Sequence, residues 1–248
     1  MSHPSPTALE ASSGCFVNPT LPWTALKDRY ARHGRILVKE FLCVSAAQAL
    51  SAIAKSPLPW ILHYRNDGES RRLLETDLLA RGASERDAIF ARVLEIGRHD
   101  FQFSYFGCSL APRDIEHLHP EHPVRSLAAK LITHDFVSLL AECVGDTSIR
   151  GLTASLTRYD PGQFLLPHDD TDTTDDRRAA FVLNLSEDWW PDWGGLLQFL
   201  DEDRNVVETF SPHNGALALF KVPQLHAVSF VTPFALRSRY SITGWLIG

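Results

Sequence analysis

The chain has 248 residues and a mass of 27.8 kDa, enough to bury a substantial core in one large domain or two small ones. With 44% hydrophobic and 22% charged residues it has ordinary globular usage, which excludes wholesale disorder, and no apolar run approaches the ~20 residues of a bilayer-spanning helix. The net charge of −6 sits entirely in residues 151–248, which carry 7 Lys and Arg against 13 Asp and Glu, while residues 1–150 balance at 17 against 17. A polyphosphate partner needs the opposite sign, so neither nucleic acid nor a membrane surface is an expected partner.

Residues 1–20 are rich in Ser, Pro and Thr and read as a flexible N-terminal tail; they lack the basic and apolar regions of a secretory leader. Residues 21–147 read as a helical and mixed supporting region. Helices are predicted over Trp23–His33, Ser45–Lys55 and Ser84–His99, with a further helical stretch, Pro123–Val144, broken near Thr133, which can cap its second segment. Strand-like runs fall at Arg35–Val38, Trp60–Arg65 and Phe101–Phe106. The four cysteines, Cys15, Cys43, Cys108 and Cys143, lie 28, 65 and 35 residues apart, matching neither a zinc pattern nor a dense disulfide framework. A reducing, cytoplasmic setting is the default expectation, and Cys108 and Cys143, in apolar runs, read as inert core thiols.

After Gly145 the texture changes. Eight short β-branched and aromatic runs with turns between them occupy residues 148–248, and such a series predicts a sandwich or barrel. The fold expected is mostly β with flanking helices, a barrel in the C-terminal half with the helical N-terminal half packed on it, the whole forming one catalytic unit.

The chemistry concentrates in that half. Gln163–Leu166 runs into Pro167-His168-Asp169-Asp170, and in extended chain His168 and Asp170 share a face. His226 comes later, at the head of another strand. Two imidazoles and one carboxylate make a facial set of metal ligands with open positions, a geometry suited to Fe(II) handling O2 and a bidentate co-substrate. Such a spacing is common by chance, and the competing reading is a solvated acidic loop of Asp169, Asp170, Asp172, Asp175 and Asp176. The strand Arg237–Trp245 strengthens the chemical reading. Arg239, Ser241, Thr243 and Trp245 share one face, and an Arg with a hydroxyl on the inside of a barrel is costly unless it meets an anion.

Taken together, Tyr159-Asp160-Pro161-Gly162 through Leu165 to His168 and Asp170, Phe181–Leu185, Trp193-Gly194-Gly195, Gly215-Ala216, His226-Ala227-Val228 and the Arg239-to-Trp245 run resemble the Fe(II)- and 2-oxoglutarate-dependent oxygenases. The match is to their prolyl 4-hydroxylase-like branch, in order over residues 148–248. The resemblance implies a double-stranded β-helix, a jelly-roll or cupin-like barrel. It implies that His168, Asp170 and His226 ligate Fe(II) and that Arg239 pairs with the distal carboxylate of 2-oxoglutarate. Tyr159 and Ser241 are implied to hydrogen-bond the co-substrate, with Leu165 lining its pocket. Relatives that include ribosomal prolyl hydroxylases often have Tyr where Asn184 stands here; Asn184 keeps a donor for the same carboxylate. O2 is the further substrate, with ascorbate an optional reductant. The carboxylate of Asp170 points to hydroxylation, since halogenating relatives carry a small residue there.

The expected activity is a 2-oxoglutarate-dependent dioxygenase that hydroxylates an unactivated C–H bond, releasing succinate and CO2, on a prolyl residue of a protein or peptide. The alternatives are a small-molecule metabolite as substrate, a cupin-like enzyme without co-substrate, and a non-catalytic metal-binding barrel. The aspartate run suggests a neutral or basic substrate at the mouth of the site, and a homodimer is left open. Other features admit plain structural readings. His117, His119 and His122 read as a solvated loop, and Trp189, Trp190 and Trp193 as a loop anchor or a contact surface. Arg177 and Arg178 read as strand-start charges, with Arg178 given a supporting role near the site by the resemblance. Arg237 is the alternative co-substrate anchor.

Overall fold

The structure, a computed structural model, describes residues 15–248. The chain orders as α1 (Trp23–His33), β1 (Arg35–Val38), α2 (Val44–Lys55), β2 (Ile61–Asn66), β3 (Glu69–Leu74), α3 (Glu75–Ala80), α4 (Ala83–Gly97), β4 (Phe103–Ser109), α5 (Pro112–Ile115), α6 (Pro123–Leu131) and α7 (His134–Val144). Then come β5 (Gly151–Tyr159), β6 (Phe164–His168), β7 (Arg177–Asn184), β8 (Leu197–Leu200), β9 (Val206–Phe210), β10 (Leu217–Lys221), β11 (His226–Val228) and β12 (Arg239–Ile247). No helix is long and apolar enough to cross a membrane among the described residues.

Local chemistry sets the helix ends. Gly34 takes a left-handed φ of 67° and returns its N–H to Tyr30 O, stopping α1. The Thr133 hydroxyl accepts from Phe136 N at 3.2 Å and starts α7. The buried residues of α2 (Ala47, Leu50, Ser51 and Ala54) fall on one stripe, which packs against the sheet.

All twelve strands belong to one antiparallel sheet in the order β1-β10-β7-β12-β5-β4-β6-β11-β8-β9, with the β2–β3 hairpin added beside β4. β4 folds the sheet over: Phe106–Ser109 pair with β5, whereas Phe103 and Ser104 pair with Leu165 and Phe164 of β6. At the other end Arg35 of β1 reaches Glu208 of β9 at 2.5 Å, spanning the open seam. The result is a nearly closed double-stranded β-helix. Strand alternation divides its residues between two sides. Leu156, Phe181, Leu183, Leu217, Leu219, Ile242 and Leu246 face outward into the core shared with the helices. Ala180, Val182, Ala218, Phe220 and Trp245 face inward against Phe199 and Phe210.

The N-terminal half thus supplies more than cover. β1, β2, β3 and β4 all precede residue 148 yet complete the sheet. Of the tail expected over residues 1–20, residues 1–14 lie outside the described part. Val17 bridges Leu42, Asn18 N donates to Phe41 O and Cys15 is disulfide-paired with Cys43, so the chain is already tied down there. The cysteine spacing gave no sign of that pairing; Cys108 and Cys143 are free and buried, as their apolar runs predict. At Gly244, an added Cβ would lie 1.7 Å from the Thr153 carbonyl oxygen and 2.9 Å from the Phe181 ring. The glycine of the C-terminal motif therefore permits close approach of β12 to β5.

Candidate active site

The two imidazoles meet because β6 and β11 are antiparallel neighbours with His168 directly opposite His226, ring centroids 4.2 Å apart. Each ring is oriented by a main-chain carbonyl two residues before it: His168 Nδ1 lies 3.0 Å from Leu166 O and His226 Nδ1 2.7 Å from Gln224 O. With Nδ1 donating, both Nε2 lone pairs are free for a metal. They face Asp170, His168 Nε2 at 3.2 Å from Oδ1 and His226 Nε2 at 3.4 Å from Oδ2. One ligand atom from each residue lies within 4.8 Å of the others, the one such cluster among the described residues.

Asp170 does not reach this position by strand alternation. β6 ends at His168, and Asp170 takes a left-handed φ of 62° that turns its carboxylate back toward the imidazoles. Burial, reinforced by the neighbouring His168, holds the His226 pKa down to about 4, so this ring is neutral at pH 7. Burial pushes the Asp170 carboxyl up, but the two imidazoles and the nearby Trp245 indole outweigh it and keep the group below the usual carboxylate range. A neutral imidazole and a carboxylate are the protonation states that metal binding requires.

Arg239, at the start of β12, is 1% exposed and sits opposite Tyr159 of β5, its guanidinium carbon 5.3 Å from the ring centroid. Its Nε has no hydrogen-bond partner, and of the groups around it only Tyr159 opposes the burial that pushes its pKa down. A buried cation without an anion is expensive, and this one stands ready for an acidic ligand. Ser241 shares the face, its hydroxyl 2.7 Å from that of Thr157. Asn184, opposite Ser241 on β7, donates to Ala216 O at 3.4 Å and leaves a buried, unpartnered Oδ1. Leu165 packs beside Tyr159 and Val228. Burial, with the neighbouring Tyr105 adding to it, pushes the Tyr159 phenol well above its ordinary pKa, so the hydroxyl is neutral and able to donate. Arg237 turns outward, exposed, to Glu187 O at 3.2 Å and Asp188 Oδ2 at 3.3 Å.

Sequence reasoning missed Tyr105. On β4, it stacks on His63 with centroids 5.4 Å apart and lies 5.4 Å from Tyr159, and burial with the nearby Asp170 raises its pKa. The aromatic alternation Phe101, Phe103, Tyr105 was the available signal; Phe101 lies 6.0 Å from His168. The aspartate run is also less of a free negative field than expected. Asp172 and Asp175 pair with Arg177, and Asp176 with Arg178. His119 and His122 accept backbone N–H groups in a turn and a helix cap. Trp189 anchors its loop through Gly194 O at 2.9 Å and Trp193 stacks edge-on to it, while Trp190 is exposed.

Comparison with known proteins agrees with this geometry. Residues 154–247 match the 2OG-Fe(II) oxygenase superfamily. The chain is 33% identical over 135 residues to prolyl 3-hydroxylase OGFOD1 of Mus musculus, covering 52% of this chain and 24% of that protein. To prolyl 3-hydroxylase sudestada1 of Drosophila melanogaster it is 32% identical over 120 residues, 43% of this chain and 22% of that one. The chain thus spans about a quarter of the length of these curated relatives. Among solved structures, a Pseudomonas putida prolyl-4-hydroxylase shares the fold with a TM-score of 0.56 and 22% identity, over 91% of this chain and 99% of that one. A Trichoplax adhaerens prolyl hydroxylase, in complex with a hypoxia inducible factor oxygen degradation domain peptide fragment, gives 0.58 and 17%, over 91% and 88%. The family's Fe(II), 2-oxoglutarate and O2 suit two imidazole nitrogens, one carboxylate and an unpaired buried arginine. Residues 154–247 thus carry the likeness to the 2OG-Fe(II) oxygenase superfamily, and the barrel they build has the fold of these solved prolyl hydroxylases.

Proposed function

We propose that the protein is an Fe(II)- and 2-oxoglutarate-dependent dioxygenase that hydroxylates a prolyl residue of a protein or peptide. The observation that carries this reading is Arg239, a buried guanidinium without an anion on the inner face of the sheet that also bears the His168, Asp170 and His226 cluster, with Tyr159 against the guanidinium. In this reading the three clustered residues hold the metal. Arg239 takes the distal carboxylate of 2-oxoglutarate in a two-pronged contact, Ser241 and Tyr159 hydrogen-bond it, Leu165 walls its chain and Asn184 directs its amide to the same group. Bound Fe(II) would supply O2 activation coupled to the oxidative decarboxylation of 2-oxoglutarate. The protein's share is to orient co-substrate and target C–H bond and to keep water out.

Phe101, Phe103 and Tyr105 follow one another as neighbouring rings, with Phe101 beside His168, and offer flat apolar surface for a pyrrolidine ring. The names of the curated relatives support a prolyl target. Residues 148–248 form the catalytic core and residues 21–147 its support. A cytoplasmic location and action on a partner other than nucleic acid or membrane belong to the same proposal. The test is succinate release from 2-oxoglutarate with Fe(II) on proline-containing peptides, with a mass gain of one oxygen atom on proline. Stoichiometric succinate without peptide oxidation on any proline-containing substrate would remove the prolyl assignment.

A further inference from the structure

We propose that Arg177 is the positioning residue that locks Asp170 in its ligating conformation, an inference that rests on the metal reading above. Asp170 lies beyond the end of β6 in a left-handed conformation, so no strand ladder holds it. Non-glycine residues at positive φ persist only where their surroundings impose the geometry. Arg177 is what surrounds it. Its Nη1 donates to the Asp170 carbonyl at 3.3 Å, its Nη2 bonds Asp172 Oδ2 at 2.8 Å, and its guanidinium carbon lies 3.9 Å over the Trp245 ring. Trp245 keeps a buried indole N–H without a hydrogen-bond partner on this inner face. One planar cation thus ties the main chain of the third ligand to its loop and to an inward-facing indole of β12. A lysine has neither the fork nor the flat face to reproduce this.

The ladder explains why Arg177 and not Arg178 does this. β7 and β12 pair regularly up to Ala179 opposite Leu246, and then the register shifts so that Ile247 faces Arg177. Arg178 is the extra residue of this irregularity. Regular alternation would put Arg178 on the inward side with Ala180; the shift re-aims the two side chains. Arg177 becomes 17% exposed and faces in, while Arg178, 43% exposed, pairs with Asp176 at the surface. Arg177 therefore does not behave as an ordinary surface ion pair.

The experiment is calorimetric titration of Co(II) and Mn(II) into the full chain, with the Co(II) absorption spectrum and the melting temperature of the metal-free protein recorded beside it. Arg177→Gln should weaken metal binding by about 10–100-fold, as loss of a group orienting a ligand typically does. The Co(II) bands should shift as well. Asp172→Asn keeps the Oδ1 acceptor that Thr174 N and Oγ1 use and replaces the charged acceptor facing Arg177 with a neutral donor. It should weaken binding about two- to fivefold, and it decides the matter alone if Arg177→Gln does not fold. Arg178→Gln should leave affinity and spectrum unchanged. Unaltered affinity and Co(II) bands in Arg177→Gln, or an Arg178→Gln defect as large, would overturn the proposal. Failure of the metal reading has its own signature: a wild-type chain that binds no metal, or His226→Ala binding as tightly as wild type.

Discussion

Arg239 offers the sharpest test of the co-substrate reading, because replacing it should have opposite consequences with and without 2-oxoglutarate. The side chain is 1% exposed, its Nε is unpartnered and no carboxylate offsets its burial. Removing an unpaired buried charge while keeping its volume relieves a desolvation cost. Arg239→Met should thus leave the melting temperature of the ligand-free protein unchanged or higher, unlike most core substitutions. With 2-oxoglutarate the order reverses. Losing a charge-assisted carboxylate pair in a buried pocket costs about 2–5 kcal/mol, or roughly 30-fold to several thousandfold in affinity. The wild type, loaded with Mn(II) and given co-substrate at about 100 times its Kd, gains ~2.7 kcal/mol, or about 5–10 °C for a domain of this size. Arg239→Met should show about a third of that rise or less at the same concentration. Arg237→Ala should keep it, since that residue is exposed and bonded to Glu187 and Asp188. A full thermal rise in Arg239→Met, or a larger loss in Arg237→Ala, would refute the assignment.

Three further outcomes are expected. His226→Ala removes one of two imidazoles on a rigid ladder, and turnover together with Fe(II) binding should vanish. Chelation of the wild type should do the same reversibly, with full activity in either state the contrary result. Gly244→Ala forces a Cβ to within 1.7 Å of the Thr153 carbonyl oxygen, which only a parting of β5 and β12 can relieve. A loss of ~3 kcal/mol or outright unfolding by circular dichroism is expected, against none if the strands lie farther apart. Burial, with Arg72 adding to it, lowers the His63 pKa to about 4 in the folded protein. The unfolded chain, at ~6.5, therefore binds the extra proton first. This contribution is complete above ~6.5 and is lost as the pH falls toward 4, so His63→Gln should flatten the decline of the urea midpoint in that window. Parallel declines in the two proteins would show that His63 takes no part.

Sequence periodicity and punctuation were enough for α1, for the break between α6 and α7 at Thr133 and for the eight strands after Gly145, because each carries its own cap, turn or alternation. The β2–β3 hairpin was missed, although Asn66-Asp67-Gly68 is a strong turn signal and Asp67 and Gly68 take φ of 51° and 79°. Glu69–Leu74 is a mostly exposed, charged strand with no apolar alternation to mark it. Around the site, the residue types of the cluster and of β12 were legible; their geometry was not. Asp170 meets His168 through a left-handed turn, which strand alternation cannot foresee. The register shift that turns Arg177 inward depends on how β7 meets β12, a tertiary fact. The closeness of Cys15 to Cys43 is of the same kind.

The place of β12 between β5 and β7 makes the assembly of this protein a late event. A chain emerging from the ribosome presents β5 and β7 long before the strand that must lie between them, and both carry unpaired inner edges until residues 239–247 emerge. β1 waits likewise for β10. Contacts so distant in sequence make closure slow, and the waiting edges are templates for pairing with other chains. Yield at high expression rates should therefore depend on how long those edges stay open. The strand that ends the wait also carries Arg239, so the binding pocket and the completed sheet come into being in one step.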